Sequence, residues 1–316
     1  MSMNSNATPI TSGAAANLPA RRETVLVFGA TGNQGGAVVD ALLDGDTKEG
    51  LKVRAMVRNP ETKKAKALAA RGVELVKGDM LNKSDVQNAT KGVSSIFLVT
   101  VEYTFKPGGT SYNSSNKFTS SLQADQANYV LQAAKSEGVK HIVFSSGLGV
   151  AYLEKKYGGI ENYAKSKTKS HVFLDKMIVE DMVRKSGLTY TIIRPAGFFE
   201  MIVTHAYGIQ KHGEYPSIWK KDIPFAYIAC RDIGRTAAKA LLSPAKWDGK
   251  EMGIASQILT SDEIAKAIAN VRNESDQWKA SYTPRFILKL FARPIARMVE
   301  EYERMPEAED VNWESV

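Results

Sequence analysis

The chain has 316 residues, 43% hydrophobic and 24% charged, with a formal net charge of +8. That length and apolar content suffice for a large buried core, which excludes disorder for most of the chain. A single cysteine, Cys230, excludes an internal disulfide framework and a cysteine-built zinc site, and it suits a reducing compartment, cytoplasmic or also nuclear.

Residues 1–22 contain no acid, are rich in Ser, Asn, Thr and Ala, and close on Arg21 and Arg22. They read as a disordered tail with a faint transit-peptide character. We expect a core over 23–200 and a smaller region over 201–316 interleaved with it. No apolar run approaches the roughly 20 residues of a membrane span, and no secretory block is present, so a soluble chain is expected.

Val25, Leu26, Val27 and Phe28 read as a buried strand that ends in glycines at Gly29, Gly32 and Gly35. Ala37, Val38, Ala41, Leu42 and Leu43 then recur at helical spacing. A strand, a glycine turn and a helix in that order form a phosphate cradle. One glycine makes the tight turn, one lets backbone approach a pyrophosphate, and one lets the helix pack on the strand, with the anion on free helix N–H groups. Gly29, Thr31, Gly32, Asn33, Gln34 and Gly35 are therefore expected to bind a dinucleotide.

A second strand is expected over 52–57. An acid at its end would bind the ribose hydroxyls of NAD, whereas arginine there complements the extra phosphate of NADP. This chain has Met56-Val57-Arg58-Asn59-Pro60, with Lys63 and Lys64 shortly after. Arg58 and Lys63 are thus expected at the phosphate, and NADP(H) is the expected cofactor. Lys52, Arg54, Lys66, Arg71 and Lys77 crowd the same region, so cofactor phosphate accounts for part of the basic excess. Direct nucleic-acid binding is not expected: there is no zinc-finger spacing and no basic run interleaved with aromatics, and the segment from Glu300 to Glu314 is acidic.

Further strands are expected at 73–77, 95–99, 141–145 and 190–194, alternating with helices in the rhythm of a doubly wound parallel sheet. Gly78-Asp79 follows the third strand, where Asp79 could meet the adenine edge or begin a helix-entry turn. Thr100, just after the fourth, is expected to bind the cofactor from the loop that also carries Tyr103, and the polar, glycine-rich connection from Glu102 to Lys117 reads as a flexible loop beside the cofactor. Ser170 is placed to cap a helix running to Lys185, Asp232 precedes a helix ending near Leu242, and Thr260 to Glu263 forms a capping box for a helix through Ala269. The basic, apolar segment from Phe286 to Val299, interrupted by Pro294, reads as a lid or partner-contacting helix in preference to a membrane-surface helix.

The glycine turn, the Val-Arg-Asn-Pro turn, Lys77-Gly-Asp79 and Ser186-Gly-Leu-Thr-Tyr-Thr-Ile-Ile-Arg-Pro195 resemble the NmrA-like family of atypical short-chain dehydrogenases over roughly 22–270. The resemblance implies a Rossmann core with a small C-terminal α/β substrate or partner region, NADP as ligand, and work either as a reductase or as a redox-sensing regulator.

Ordinary members of the wider superfamily use a tyrosine acid with a lysine four residues later. Tyr163 and Lys167 have that spacing. The family's lysine, however, lies 18 residues before the Arg-Pro that ends the sixth strand, with a glutamate four residues after it. Lys176 meets both conditions, against Arg194 and Glu180, and leaves Val172 at the tyrosine position. The resemblance therefore implies that Lys176 faces the cofactor, as a ribose ligand or as an acid or base, and that the tyrosine acid is missing. A surface lysine is the bland alternative; Tyr163, read as loop surface, and His171 are lesser catalytic candidates. Tyr103, Pro195, Gly197, Phe198 and Phe199 are expected to line the substrate side, unless the aromatics are simply core.

An acceptor that is already electrophilic needs little proton assistance, so an imine, quinone-like or enone substrate is expected rather than a simple ketone. The alternative is a non-catalytic NADP(H) sensor that regulates a protein partner. A monomer or homodimer is expected, and no metal.

Overall fold

The computed structural model describes residues 23–44, 50–101, 121–202, 213–220, 222–274, 278–291 and 293–305. The expected N-terminal tail and the whole 102–117 connection, Tyr103 included, lie outside the described residues. Strands β1 (Thr24–Val27), β2 (Lys52–Val57), β3 (Glu74–Lys77), β4 (Ser95–Val99), β5 (His141–Ser145) and β6 (Thr189–Pro195) carry the first half. Between them run α1 (Asn33–Asp44), α2 (Lys63–Ala70), α3 (Lys83–Thr90), α4 (Leu122–Glu137), α5 (Val150–Tyr157), α6 (Ile160–Lys165) and α7 (His171–Arg184). The rest comprises β7 (Gly197–Phe198), β8 (Glu214–Ser217), β9 (Phe225–Ile228), α8 (Cys230–Leu242), α9 (Pro244–Trp247), β10 (Lys250–Ile254), β11 (Gln257–Leu259), α10 (Ser261–Arg272), β12 (Lys279–Tyr282), α11 (Arg285–Phe291) and α12 (Arg293–Tyr302).

Seven strands form one sheet in the order β10-β6-β5-β4-β1-β2-β3, every neighbouring pair parallel. The direction of winding reverses between β1 and β4, and in such sheets the crevice beyond the strand ends at that reversal holds the ligand. Helices cover both faces. Val38 and Leu42 of α1 and Ile233 and Ala237 of α8 pack on one face, and Val130 of α4 with Val179 and Val183 of α7 on the other. The C-terminal region adds two small sheets, β11-β9-β7 and β12-β8, and lends α8 and β10 to the core.

Local sequence sets the ends. Thr62 and Ser121 accept from the backbone N–H groups of Ala65 and Ala124 to cap α2 and α4, and Gly138, at φ +68°, closes α4. The Thr260–Glu263 capping box is formed. Ser170 departs from expectation: it stands before α7, but its hydroxyl makes no capping bond and its backbone N–H donates to the Tyr163 hydroxyl at 2.9 Å. The α8 helix begins at Cys230, two residues before Asp232, so Asp232 lies within its first turn instead of preceding it.

The 286–299 segment is two helices, not one. Leu288, Ala296 and Val299 are buried, while Phe286 and Leu290 remain 70% and 73% exposed. The end of α12 folds over the β5–α5 loop: the Tyr302 hydroxyl donates to the Leu148 carbonyl at 2.6 Å, and its ring meets Phe173 edge-on at 5.0 Å. Gly149 sits there at φ +90°, a conformation that strains any other residue, and a Cβ would also displace the Met305 side-chain end at 2.7 Å.

Within the sheet, His141 is fully buried. The Thr191 hydroxyl donates to the Trp247 carbonyl at 2.7 Å, which leaves its lone pair to accept from His141 Nε2–H at 2.9 Å. The His141 Nδ1 is buried with no hydrogen-bond partner among the described residues, which disfavours the doubly protonated ring. Burial lowers its pKa from 6.5 to about 4, against an opposing pull from Asp248. Between those values the unfolded chain takes up a proton that the folded chain refuses, so stability falls as pH drops from 6.5 towards 4, by about 3 kcal/mol at the limit. Urea unfolding at several pH values checks this. The wild-type midpoint is expected to fall across the window and His141→Gln to lose that component; an equal fall in both would place the acid sensitivity elsewhere.

Candidate functional site

The glycine turn is built by close approach. Gly29 sits at φ +69°, and a Cβ there would lie 2.8 Å from Val99 Cγ1. The Gly32 N–H donates to the Gly29 carbonyl at 2.8 Å. A Cβ on Gly35 would stand 2.4 Å from that same carbonyl oxygen, so only glycine lets α1 start so close to β1. The turn opens into a cavity of about 330 Å³ lined by Phe28, Gly29, Thr31–Gly35, Met56–Arg58, Gly78, Met80, Val99, Val101 and Phe198. The first turn of α1 carries no acid. An anion therefore meets unopposed helix N–H groups, and the residues present fit a dinucleotide pyrophosphate.

At the β2 side, Arg58 is exposed and lines this cavity. Lys63, at the start of α2, is exposed and does not line it. Its neighbour Lys64 is the one that returns to the turn, donating to the Thr31 carbonyl at 3.3 Å. Helix phase, invisible in a pair of adjacent lysines, decides which one faces the loop. Other basic residues are engaged elsewhere: Arg54 with the Ala89 and Lys91 carbonyls and Glu74, Arg71 with Asp40, Lys66 with Glu61. Asp79 adopts the helix-entry turn, its Oδ1 accepting from Leu81 N–H at 2.9 Å, while Gly78 and Met80 line the cavity on either side of it.

Lys176 reaches the ends of two central strands. Its ammonium donates to the Thr100 hydroxyl at 3.1 Å, the Thr100 carbonyl at 3.3 Å and the Ser145 carbonyl at 3.4 Å, and stands 5.2 Å from the Phe144 ring centroid. The Thr100 hydroxyl gives its own proton to Gln123 Oε1 at 2.7 Å, so its lone pairs turn to the lysine. One turn further along α7, the wholly buried Glu180 grips Arg194 of β6 through bonds of 2.9 and 2.7 Å. Arg184 and Glu251 complete the cluster, with Arg194 Nη2 at 2.5 Å and Arg184 Nε at 2.7 Å from the Glu251 carboxylate. Burial opposes the charge on Glu251, yet the two guanidinium groups outweigh it and hold its pKa at about 2. The spacing that links Lys176, Glu180 and Arg194 thus has a physical basis: it locks α7 onto β6 and holds the lysine at the ends of β4 and β5, while Lys176 itself is not among the residues lining the cavity.

Tyr163 is not loop surface. It is fully buried on α6, edge-on to Tyr157 at 5.0 Å, with its hydroxyl accepting from Ser170 N–H. Burial raises its pKa. Lys167 lies beyond the end of α6 and is exposed, so the two do not share a helix face. His171 opens α7 with its pKa lowered by burial and by Lys169 and Arg297. Of the expected substrate-side residues, Phe198 lines the cavity, Phe199 stacks on Tyr227 at 5.4 Å, and a Cβ on Gly197 would strike Phe225. Pro195 is buried in β6, its carbonyl accepting from Leu148 N–H at 3.0 Å, and is a strand residue rather than a pocket wall.

Three residues at the site were missed from sequence: Gln123, Ser145 and Ser146. The Ser145 hydroxyl donates to Gln34 Oε1 at 2.6 Å, and the Ser146 hydroxyl is buried with no hydrogen-bond partner among the described residues. Two hydroxyls directly after the apolar Ile142-Val143-Phe144 run of a parallel strand were the available signal.

Turn, strand order and crevice together define a dinucleotide-binding Rossmann protein. The NmrA-like family model matches residues 21–314, and the chain belongs to that family. It is 37% identical over 199 residues to the NmrA-like family domain-containing oxidoreductase malD of Malbranchea aurantiaca, a match covering 62% of this chain and only about half (52%) of that relative. It is 28% identical over 251 residues to the NAD(P)H azoreductase of Xenophilus azovorans, covering 78% and 72%. Among solved structures, Citrobacter triphenylmethane reductase with NADP(H) matches at TM-score 0.67 and 21% identity, covering 92% of each chain. The NADPH complex of the Escherichia coli quinone oxidoreductase QOR2 matches at 0.64 and 23%, covering 88% and 87%, and the transcriptional regulator NmrA with NAD at 0.62 and 18%, covering 90% and 82%. These likenesses concern the fold. Among the described residues no helix is long and apolar enough to cross a membrane, and no cluster suits a metal ion.

Gly35→Ala forces a Cβ into the Gly29 carbonyl and is expected to cost about 1–3 kcal/mol of stability and to abolish dinucleotide binding. Gly147→Ala, where a Cβ meets nothing within 4 Å, is expected to melt like the wild type. Thermal melts with an NADPH titration check the pair.

Proposed function

We propose that the protein is an NADPH-dependent reductase of a small cyclic or conjugated acceptor, of the imine, quinone-like or enone class. The observation that carries this reading is the Lys176 ammonium at the ends of β4 and β5, beside the dinucleotide cavity, with valine at the position one helical turn before it. Reduced nicotinamide, when bound, supplies the hydride. The turn from Gly29 to Gly35 holds the pyrophosphate, and Arg58, with Lys64 behind the loop, complements the ribose phosphate. Thr100 and Lys176 orient the nicotinamide ribose, and the ammonium offers positive charge to an acceptor that gains electron density. Val172 has no proton to give, which favours acceptors that are electrophilic beforehand. Phe198 supplies an apolar wall. Relatives named for azo, quinone and triphenylmethane substrates support the choice of conjugated acceptors.

The second reading, an NADP(H) sensor for a protein partner, is favoured by one contact. The surface-side helix α12 rests through Tyr302 on the loop that follows Ser145 and Ser146, giving a partner surface a path to the site.

NADPH fluorescence titration followed by imines, quinones, enones and ketones in the same cuvette tests both. Oxidation with the conjugated acceptors that falls at least tenfold in Lys176→Ala and persists in Tyr163→Phe is expected; rapid turnover of simple ketones alone contradicts the acceptor class, and tight binding without turnover on the whole panel favours the sensor. Arg58→Glu is expected to abolish a preference for NADPH over NADH. Equal wild-type affinity for the two would overturn the phosphate role of Arg58.

A further inference from the structure

Gln34 is the second residue of α1, and it is one of the residues lining the dinucleotide cavity. Its Oε1 is occupied inside the protein by the Ser145 hydroxyl at 2.6 Å. The part of the amide that Ser145 does not occupy is its amino end, a donor pair at the first turn of a helix, which suits a phosphate oxygen. Ser145 is also the residue whose carbonyl accepts from Lys176 at 3.4 Å. One serine at the end of β5 thus holds Gln34 through its hydroxyl and Lys176 through its backbone. The two side chains come from helices on opposite faces of the sheet.

We propose that Gln34 is a positioning residue: through Ser145 it couples the seating of a dinucleotide phosphate on the glycine turn to the placement of the Lys176 ammonium. The proposal rests on the reading that Lys176 faces the cofactor. When a phosphate oxygen takes the Gln34 amino group, the amide is fixed, its oxygen fixes the Ser145 rotamer, and the β5 terminus holds its carbonyl at the lysine. Without the amide the Ser145 hydroxyl can rotate away, and the end of β5 loses a tie to α1 across 111 residues of sequence.

The test is a double-mutant cycle in NADPH affinity, read by fluorescence titration of the full chain, with thermal melts of the unliganded proteins as a fold control. Gln34→Leu and Lys176→Ala are each expected to weaken NADPH about tenfold, and the double variant about 10–20-fold instead of the hundredfold of independent sites. In a Ser145→Ala background the two losses are expected to multiply. Gln34→Asn, whose shorter amide does not reach Ser145, is expected to reproduce the loss of coupling if Gln34→Leu folds poorly. Multiplicative losses with Ser145 intact overturn the coupling and leave Lys176 at the cofactor. An unchanged affinity in Lys176→Ala overturns the coupling and the cofactor-facing reading together.

Discussion

A carboxylate with no exposed surface, Glu180, lies between two guanidinium groups, and the placement of α7 depends on it. Removing such charges from water is costly, and their attraction offsets the cost only when the lone pairs are fully engaged. Here both Glu180 oxygens are bonded, one to Arg194 alone and the other shared between Arg194 and Arg184. Glu251 brings β10 into the same cluster, so one set of charges fixes the helix, the sixth strand and the seventh strand of the sheet. A hydrophobic cluster of similar volume would match its stability, but it would not set rotation and axial position so narrowly. Bidentate geometry tolerates little sliding. The consequence is local and chemical: Lys176, one turn away, is delivered to the ends of β4 and β5.

The second constraint is steric. Gly35 allows α1 to begin against the Gly29 carbonyl, and on the outer side Gly234 allows α8 to cross α1 so closely that a Cβ would lie 2.2 Å from the Ala37 carbonyl. The helix that buttresses the phosphate turn therefore comes from the C-terminal part of the chain. With β10 inserted beside β6, that part completes the core as well as carrying its own small sheets. The small C-terminal region is interleaved with the dinucleotide fold, and the turn and its support form one packed body.

Much of this was legible beforehand for identifiable reasons. The strands expected at 95–99 and 141–145 match β4 and β5, because central parallel strands buried on both faces leave apolar runs, and that at 52–57 matches β2, whose Ala55-Met56-Val57 end is buried although Lys52 and Arg54 interrupt its start. β10 left no such run: Lys250-Glu251 opens it, and a charged residue in a strand makes sense only once Arg184 and Arg194 are known to face it. The glycine turn was readable because the constraint is local. Tyr163 was misplaced because its burial depends on α7 and on the C-terminal helix, which spacing to Lys167 does not encode. Ser145 and Gln123 were missed for the same reason, since their partners Gln34 and Thr100 are distant in sequence.

The aromatic side chains of the C-terminal region follow a related logic. Trp219 stacks on Phe225 at 4.0 Å, Phe225 meets Tyr302 at 5.1 Å, and Tyr302 meets Phe173 of α7. Edge-on and offset contacts of this kind hold rings in fixed relative orientation. They run from β9, through α12, to the helix that bears Lys176, and Gly197 and Gly149 are the two glycines that let rings and Met305 approach. A reductase gains a rigid, water-poor wall from this cluster; a sensor gains a lever, because α12 cannot shift without disturbing Leu148 and Phe173. The same packing serves either role, and the difference between them lies in whether an acceptor reaches the ammonium, a property of the site and not of the fold.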